Sequence, residues 1–373
     1  MNFAFSDEQE AFRDSLRRFF AAHSASTEVR RLMDSREGYD AQVWTQMARD
    51  LGLQGLRIPE AQGGQGFGFL EQIIVLEEMG RVLFPSPYLA SIGLAADLIL
   101  EQGTEQDRDQ LLPALAEGTR LGAVAWQEPG AGASLAEIRM VARRDGADHV
   151  LEGSKSYVID GHLADLLLVA ARAGEDEGLS LFVVDGHGGG LSTELLHGLD
   201  ATRKLARIDF GGARARLLGE RGRAEPALAR VLDRGAVLLA AEMAGAAARA
   251  LEMAVEYAKI RVQFGRPIGY FQAVKHKCAE VLLEVESARV AAHWAGWVAG
   301  DNPEELPQAA SLAKAFCGDA FQRAATELIQ VHGGIGFTWE HDAHLFYRRA
   351  RVSDVLLGDA TFHRARLANL LAL

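Results

Sequence analysis

The sequence predicts a multi-domain α+β protein with an α-helical N-terminal domain, a central β domain of barrel or sandwich type, and a C-terminal four-helix bundle. Three observations carry this expectation. Near Leu121 the helical spacing of apolar residues gives way to short β-prone runs between turns. Near Ala224 the helical texture returns and persists. The late helical stretches are long and joined by short breaks, as antiparallel bundle helices are. The expected domains are 1–120, 121–222 and 223–373, and a chain of 373 residues is long enough for more than one core.

The first helix starts at Ser6-Asp7-Glu8-Gln9, which supplies capping residues, and Phe12, Leu16, Phe19 and Phe20 follow at helical spacing. An apolar stretch at 51–58 ends at Pro59 and a glycine-rich loop, Gly63-Gly64-Gln65-Gly66. A helix over about 70–82 stops before Pro85-Ser86-Pro87. Strands are expected at 122–126, 149–152, 156–159, 166–170, 179–184 and 206–210, with glycine clusters at 186–190 and 211–212 between elements. Helices are expected over about 225–260, 271–299, 304–331 and 341–368, broken at Gly265-Arg266-Pro267, at 300–303 and at 333–336. The apolar run around 237–248 reads as buried helix although it carries Glu242.

Composition excludes several classes. A net charge of −12 argues against non-specific nucleic-acid binding, which needs a basic face. No segment approaches the roughly 20 uninterrupted apolar residues of a membrane span. The start, Met1-Asn2-Phe3-Ala4-Phe5, lacks the basic and apolar parts of a leader. The two cysteines, Cys278 and Cys317, have no metal-ligand spacing, and a reducing cytoplasm is expected. His341 and His344 stand three apart but lack supporting carboxylates, so no metal site is expected.

Two motifs stand out. Arg261-Val262-Gln263-Phe264-Gly265-Arg266-Pro267-Ile268-Gly269-Tyr270-Phe271-Gln272 follows a long helix. Gln330-Val331-His332-Gly333-Gly334-Ile335-Gly336-Phe337 ends another. A guanidinium suits bidentate phosphate contact, and adjacent glycines let backbone amides approach a diphosphate. Alone, each is a helix end with glycines. Together, in this order and spacing, they resemble the acyl-CoA dehydrogenase family of flavoproteins, and the resemblance extends over nearly the whole chain.

That resemblance implies non-covalent FAD at a subunit interface. It places Arg261 on the pyrophosphate, Phe264 near the flavin and Gln272 on the adenylate portion. Gln330, Gly333 and Gly334 then close over the FAD held mainly by a neighbouring subunit. The loop Trp126-Gln127-Glu128-Pro129-Gly130-Ala131-Gly132 resembles the family's loop along the flavin, with Gln127 in place of a threonine. Tyr157 stands for the tryptophan that flanks the flavin ring. Ile159 replaces a threonine whose hydroxyl meets flavin N5, a bond an apolar side chain cannot donate.

The proton base is the point of departure. Most of the family carries a glutamate where this chain has Leu357, and a minority uses the position of Gly235. Neither residue takes a proton. Two carboxylates remain as candidates. Glu242 lies seven residues after Gly235, roughly 10 Å along the same helical face. Desolvation in that setting favours the direction a general base needs. The alternative is a structural Glu paired with Arg249 or Arg289. Asp359 is the second candidate, with a shorter side chain in a shifted position. The basic tail, Arg348, Arg349, Arg351, Arg364 and Arg366, reads as a solvated or intersubunit face.

The implied reaction is α,β-dehydrogenation of an acyl-CoA thioester to a trans-2-enoyl-CoA, with electrons leaving to an electron-transferring flavoprotein. The implied assembly is a dimer or tetramer. The run Glu340-His341-Asp342-Ala343-His344-Leu345-Phe346-Tyr347 followed by Leu357-Gly358-Asp359-Ala360 resembles bacterial members acting on bulky, dicarboxylic or steroid-derived thioesters. Fatty-acid or steroid side-chain degradation is the implied setting. Two alternatives stay open: a catalytically incomplete subunit completing a homologous partner, and a flavin oxidase or monooxygenase on the same scaffold.

Overall fold

Ser6 begins the first helix with a full capping box, its side chain accepting from the Gln9 amide while the Gln9 side chain returns to the Ser6 amide. The structure is a computed structural model and describes residues 5–174 and 178–373. Met1 to Ala4, part of the segment read above for a leader, lie outside the described residues. The helices are α1 (Asp7–His23), α2 (Ser26–Asp34), α3 (Ala41–Leu51), α4 (Phe69–Arg81), α5 (Asp97–Gln102), α6 (Glu105–Ala116), α7 (Glu225–Ile260), α8 (Gln272–Asp301), α9 (Leu306–His332), α10 (Ala343–Val355) and α11 (Ala360–Leu370). No helix among the described residues is long and apolar enough to cross a membrane.

The chain divides into two compact units, and the helices before residue 120 are shared between them. One unit holds the chain to Arg31, Phe69–Phe84 and Ala236–Leu373. In it α4 packs on α1 and α8, and α9 packs on α8, α10 and α11. Two glycines set the crossing of α4 and α7. A Cβ on Gly80 would lie 2.0 Å from the Glu242 carbonyl oxygen, and one on Gly245 would lie 1.9 Å from that of Glu77. The two backbones therefore touch where neither residue carries a side chain.

The other unit, Leu32–Gly68 with Pro85–Gly235, carries the sheet. Its strands are β1 (Gly122–Ala125), β2 (Ala142–Asp145), β3 (Asp148–Ile159), β4 (Leu166–Arg172), β5 (Leu179–Asp185), β6 (Leu191–Leu196) and β7 (Leu205–Leu218). The order is β1-β4-β5-β7-β3-β2, with β6 also pairing β7. Among these named strands β1 and β4 pair parallel and the other pairs run antiparallel. Alternating side chains such as Leu151, Phe182, Ile208 and Phe210 form its core.

Four expectations need correction. The runs at 149–152 and 156–159 are one strand, β3, interrupted by a register shift between Lys155 and Val158. Gly211 and Gly212 do not end a strand but lie inside β7. Leu151 pairs with Ala213 and Glu152 with Gly211, so Gly212, at φ +85°, is the extra residue of a bulge. Strands β2 and β6 were not expected, because their exposed polar side chains mask the alternation. The final helix is broken at 356–359, where Leu357 and Gly358 both take positive φ.

Candidate functional site

The exit of α7 is built to leave Arg261 uncommitted. The Arg261 amide closes the helix on the Tyr257 carbonyl, and its own carbonyl accepts from the Ile268 amide at 2.8 Å. Between them a tight hairpin turns through Phe264 at φ +51° and Gly265 at φ +78°. This turn carries the Phe264 ring into solvent, 88% exposed, edge-on to Phe271 at 6.0 Å. Among the described residues no carboxylate pairs with Arg261.

Helix α9 ends at Gly333, whose φ of +64° with ψ −143° is a conformation open in practice only to glycine, and whose amide closes the helix on the Gln330 and Ile329 carbonyls. Its turn and Arg261 line one cavity of about 520 Å³, together with Tyr257, Gln263, Ile268, Val331, His332, Gly334, Ile335 and Thr338. Cβ atoms on Gly333 or Gly334 would meet nothing within 4 Å. Gly333 is required by its own backbone, whereas nothing within the chain requires Gly334; an external group seated on the amides would. Tyr257 and His332 stack at 4.1 Å on the cavity wall, and burial lowers the His332 pKa. Gln272 opens α8 and Gln330 stands near the end of α9, both exposed. A free guanidinium, an open amide turn and exposed aromatic rings fit a dinucleotide's diphosphate and ring system, which is the test FAD poses to this unit.

In the sheet unit a buried lysine shapes the loop after β1. Lys155 Nζ, fully buried, donates to the Trp126 carbonyl at 3.0 Å and to Glu128 Oε1 at 2.9 Å. Burial lowers Lys155 to about 8 against the opposing pull of Glu128. Burial works to raise Glu128, but Lys155 and the amides of Met140 and Arg139 outweigh it and its pKa falls. The loop is thus pinned at both sides of Gln127. The Gln127 amide turns inward, donating to the carbonyls of Ala131 and Gly132. Trp126 is 8% exposed, whereas Tyr157, at φ +57° beside the β3 irregularity, projects half exposed. Ile159 is buried.

The two candidate bases are both engaged. Glu242 Oε1 accepts from Arg349 Nη1 at 2.6 Å, and the side chains are 5% and 2% exposed. Arg349 therefore does not belong to a solvated tail: α10 turns it inward to supply the counter-charge of Glu242. The partners considered from sequence lie elsewhere, Arg249 with Glu252 and Glu256, and Arg289 with Glu286. Asp359 is the N-cap of α11 and accepts from the Phe362 amide at 2.7 Å. Leu357 stands between them in sequence on a loop gripped by two residues that sequence reasoning missed. Lys314 Nζ donates to the carbonyls of Asp354 at 2.7 Å and Gly358 at 2.8 Å, and His363 Nε2 lies 3.0 Å from the Leu357 carbonyl. A lone lysine among alanines, Ala313-Lys314-Ala315, was the available signal. Among the described residues no group of three or more His, Cys, Asp or Glu side chains is arranged to hold a metal.

Comparison with known proteins places these features in a lineage. Sequence models described as the acyl-CoA dehydrogenase N-terminal, middle and C-terminal domains match residues 6–119, 123–210 and 226–371. The acyl-CoA dehydrogenase IpdE2 of Mycobacterium tuberculosis is 35% identical over 351 residues, 94% of this chain and 93% of the relative. Among solved structures, the Tcur3481-Tcur3483 steroid ACAD is similar with TM-score 0.89 and 33% identity, covering 98% of both chains. The ChsE4-ChsE5 complex from Mycobacterium tuberculosis is similar with TM-score 0.90 and 27% identity, covering 100% of this chain and 99% of the other.

Proposed function

Since the chain belongs to the acyl-CoA dehydrogenase family, an FAD-dependent oxidoreductase family acting on acyl-CoA thioesters, we propose that it works as one half of a heteromeric enzyme converting a bulky, ring-bearing thioester to its trans-2-enoyl-CoA. The observation that carries this reading is the engagement of both candidate bases. Glu242 is committed to Arg349, and Asp359 to the start of α11. Leu357 has no atom that accepts a proton. The carboxylate that removes the α-proton is then supplied by a homologous companion subunit.

FAD, when bound, supplies the acceptor for the β-hydride. In this reading Arg261 and the amides of Gly333 and Gly334, which line one cavity, bind the diphosphate of one FAD held across the subunit interface. Phe264 covers ring surface, and Gln272 and Gln330 offer amides. Trp126, Gln127 and Tyr157 shape the flavin side of the sheet unit. Electrons pass on to an electron-transferring flavoprotein. The names of the steroid ACAD and of the ChsE4-ChsE5 complex support the substrate class and the two-chain assembly.

The test compares the chain expressed alone with the chain co-expressed with a homologous neighbouring gene product. Each preparation is titrated without oxygen against short, long, dicarboxylic and ring-bearing acyl-CoAs while flavin absorbance is followed. Bleaching by the ring-bearing class in the co-expressed preparation only is expected. Bleaching of the chain alone would refute the heteromer and return the base to Glu242 or Asp359.

A further inference from the structure

The end of α10 and the loop at 356–359 after it are held far more firmly than a connection between two helices requires. Three of their carbonyls are taken by buried donors: those of Asp354 and Gly358 by Lys314, and that of Leu357 by His363. Both donors are buried, at 0% and 1% exposure. Burying a lysine is costly unless its protons are satisfied, and here two go to this one segment. The grip is prepared along one face of α9, where Ser311, Lys314 and Gly318 recur at spacings of three and four. Ser311 Oγ lies 3.4 Å from His363 Nδ1. A Cβ on Gly318 would come within 2.8 Å of Asp354 Oδ1, and one on Gly358 within 3.0 Å of His363 Nε2. The glycines thus make room for the clamp.

The result is a strained backbone around a side chain that is not core. Leu357 is held at φ +59°, a region costly for a residue with a Cβ, and stays only half buried. Such strain persists only where the surroundings over-determine it, and Lys314, His363 and the Asp359 cap do so. Burial also keeps His363 neutral, down to about 4, so its ring stays a single-proton donor to the Leu357 carbonyl.

We propose that Lys314 and His363 are positioning residues that lock residue 357, making Leu357 a rigid apolar contact that selects the acyl part of the thioester. This rests on the proposed function, with Leu357 standing at the position where most of the family carries the base that meets the thioester. The clamp itself rests on the geometry alone.

The experiment uses the FAD-loaded protein, with its companion where turnover requires one. It compares Lys314→Met, His363→Leu and His363→Gln, the last of which keeps an N–H able to reach the Leu357 carbonyl. Hydrogen exchange of the amides around 355–358 reads the clamp. A series of acyl-CoAs of increasing bulk reads selection through KM and kcat. The Met and Leu variants are expected to raise loop exchange and to change the bulky-to-short preference on the order of ten-fold, mostly in KM, as a changed hydrophobic contact does. Exchange in the middle of α9 stays at its wild-type rate, and His363→Gln restores both readouts. Unchanged loop exchange in Lys314→Met and His363→Leu would overturn the clamp. Faster exchange with unchanged preference would overturn the role of Leu357 in selection. A wild-type preparation that turns over no thioester counts instead against the proposed function, and is seen before any variant is compared.

Discussion

Replacing Glu242 by glutamine decides between a structural and a catalytic carboxylate. The side chains of Glu242 and Arg349 are 5% and 2% exposed and lie 2.6 Å apart. Glutamine keeps the shape and removes the charge that faces the buried Arg349 guanidinium. Breaking a buried pair from one side costs roughly 3–5 kcal/mol, whereas replacing both partners by apolar residues of similar volume is often neutral. Glu242→Gln, like Glu242→Leu and Arg349→Met, is therefore expected to lower stability by about that amount, and the double variant that combines Glu242→Leu with Arg349→Met by much less than the sum of those two singles, which with wild type close the cycle. Equilibrium denaturant unfolding of the four proteins reads the cycle, with two probes to check that the two units unfold together. Turnover per folded, FAD-loaded molecule, with the companion subunit present, is measured in parallel and is expected to stay within a few-fold of wild type. A Glu242→Gln protein as stable as wild type but without turnover would refute this reasoning and make Glu242 the base.

Other expectations follow from the same geometry. Gly334→Ala should leave thermal stability unchanged, since its Cβ meets nothing in the chain, yet weaken FAD retention on gel filtration; equal retention would remove the cradle. Arg261→Gln should release FAD more readily with no loss of fold, because no ion pair within the described residues is broken; circular dichroism and flavin content check both halves. Gly245→Ala should destabilise by roughly 1–3 kcal/mol, since its Cβ would sit 1.9 Å from the Glu77 carbonyl and force α4 and α7 apart. His363 titrates at about 4 in the fold against an ordinary 6.5, so the unfolded chain binds its proton first as pH falls. Its contribution is present above pH 6.5 and lost through pH 4, up to about 3 kcal/mol at 1.36 kcal/mol per unit, and His363→Gln should flatten that part of the acid unfolding profile.

Much of the architecture was legible in the chain itself because it depends on local periodicity. Helix starts such as Ser6 and stops such as Gly333 are written in capping chemistry between near neighbours. The change of period near Leu121 and Ala224 separates strand from helix without any knowledge of contacts. Arg261 and the glycines after His332 were legible for a similar reason, since each belongs to a short run whose chemistry is complete within a few residues. Only tertiary structure could decide which charges meet. Glu242 and Arg349 are 107 positions apart, and no spacing rule pairs them. Arg349 sits in an arginine-rich stretch that looks solvated until α10 is docked and one face of it is turned inward. Lys314 reads as one more helical lysine until α9 is laid against 354–359, where burial and two carbonyls assign its role. Periodicity is a property of neighbours along the chain, whereas the partner of a buried charge is a property of the packing, which is why the helices could be read from sequence and the ion pairs could not.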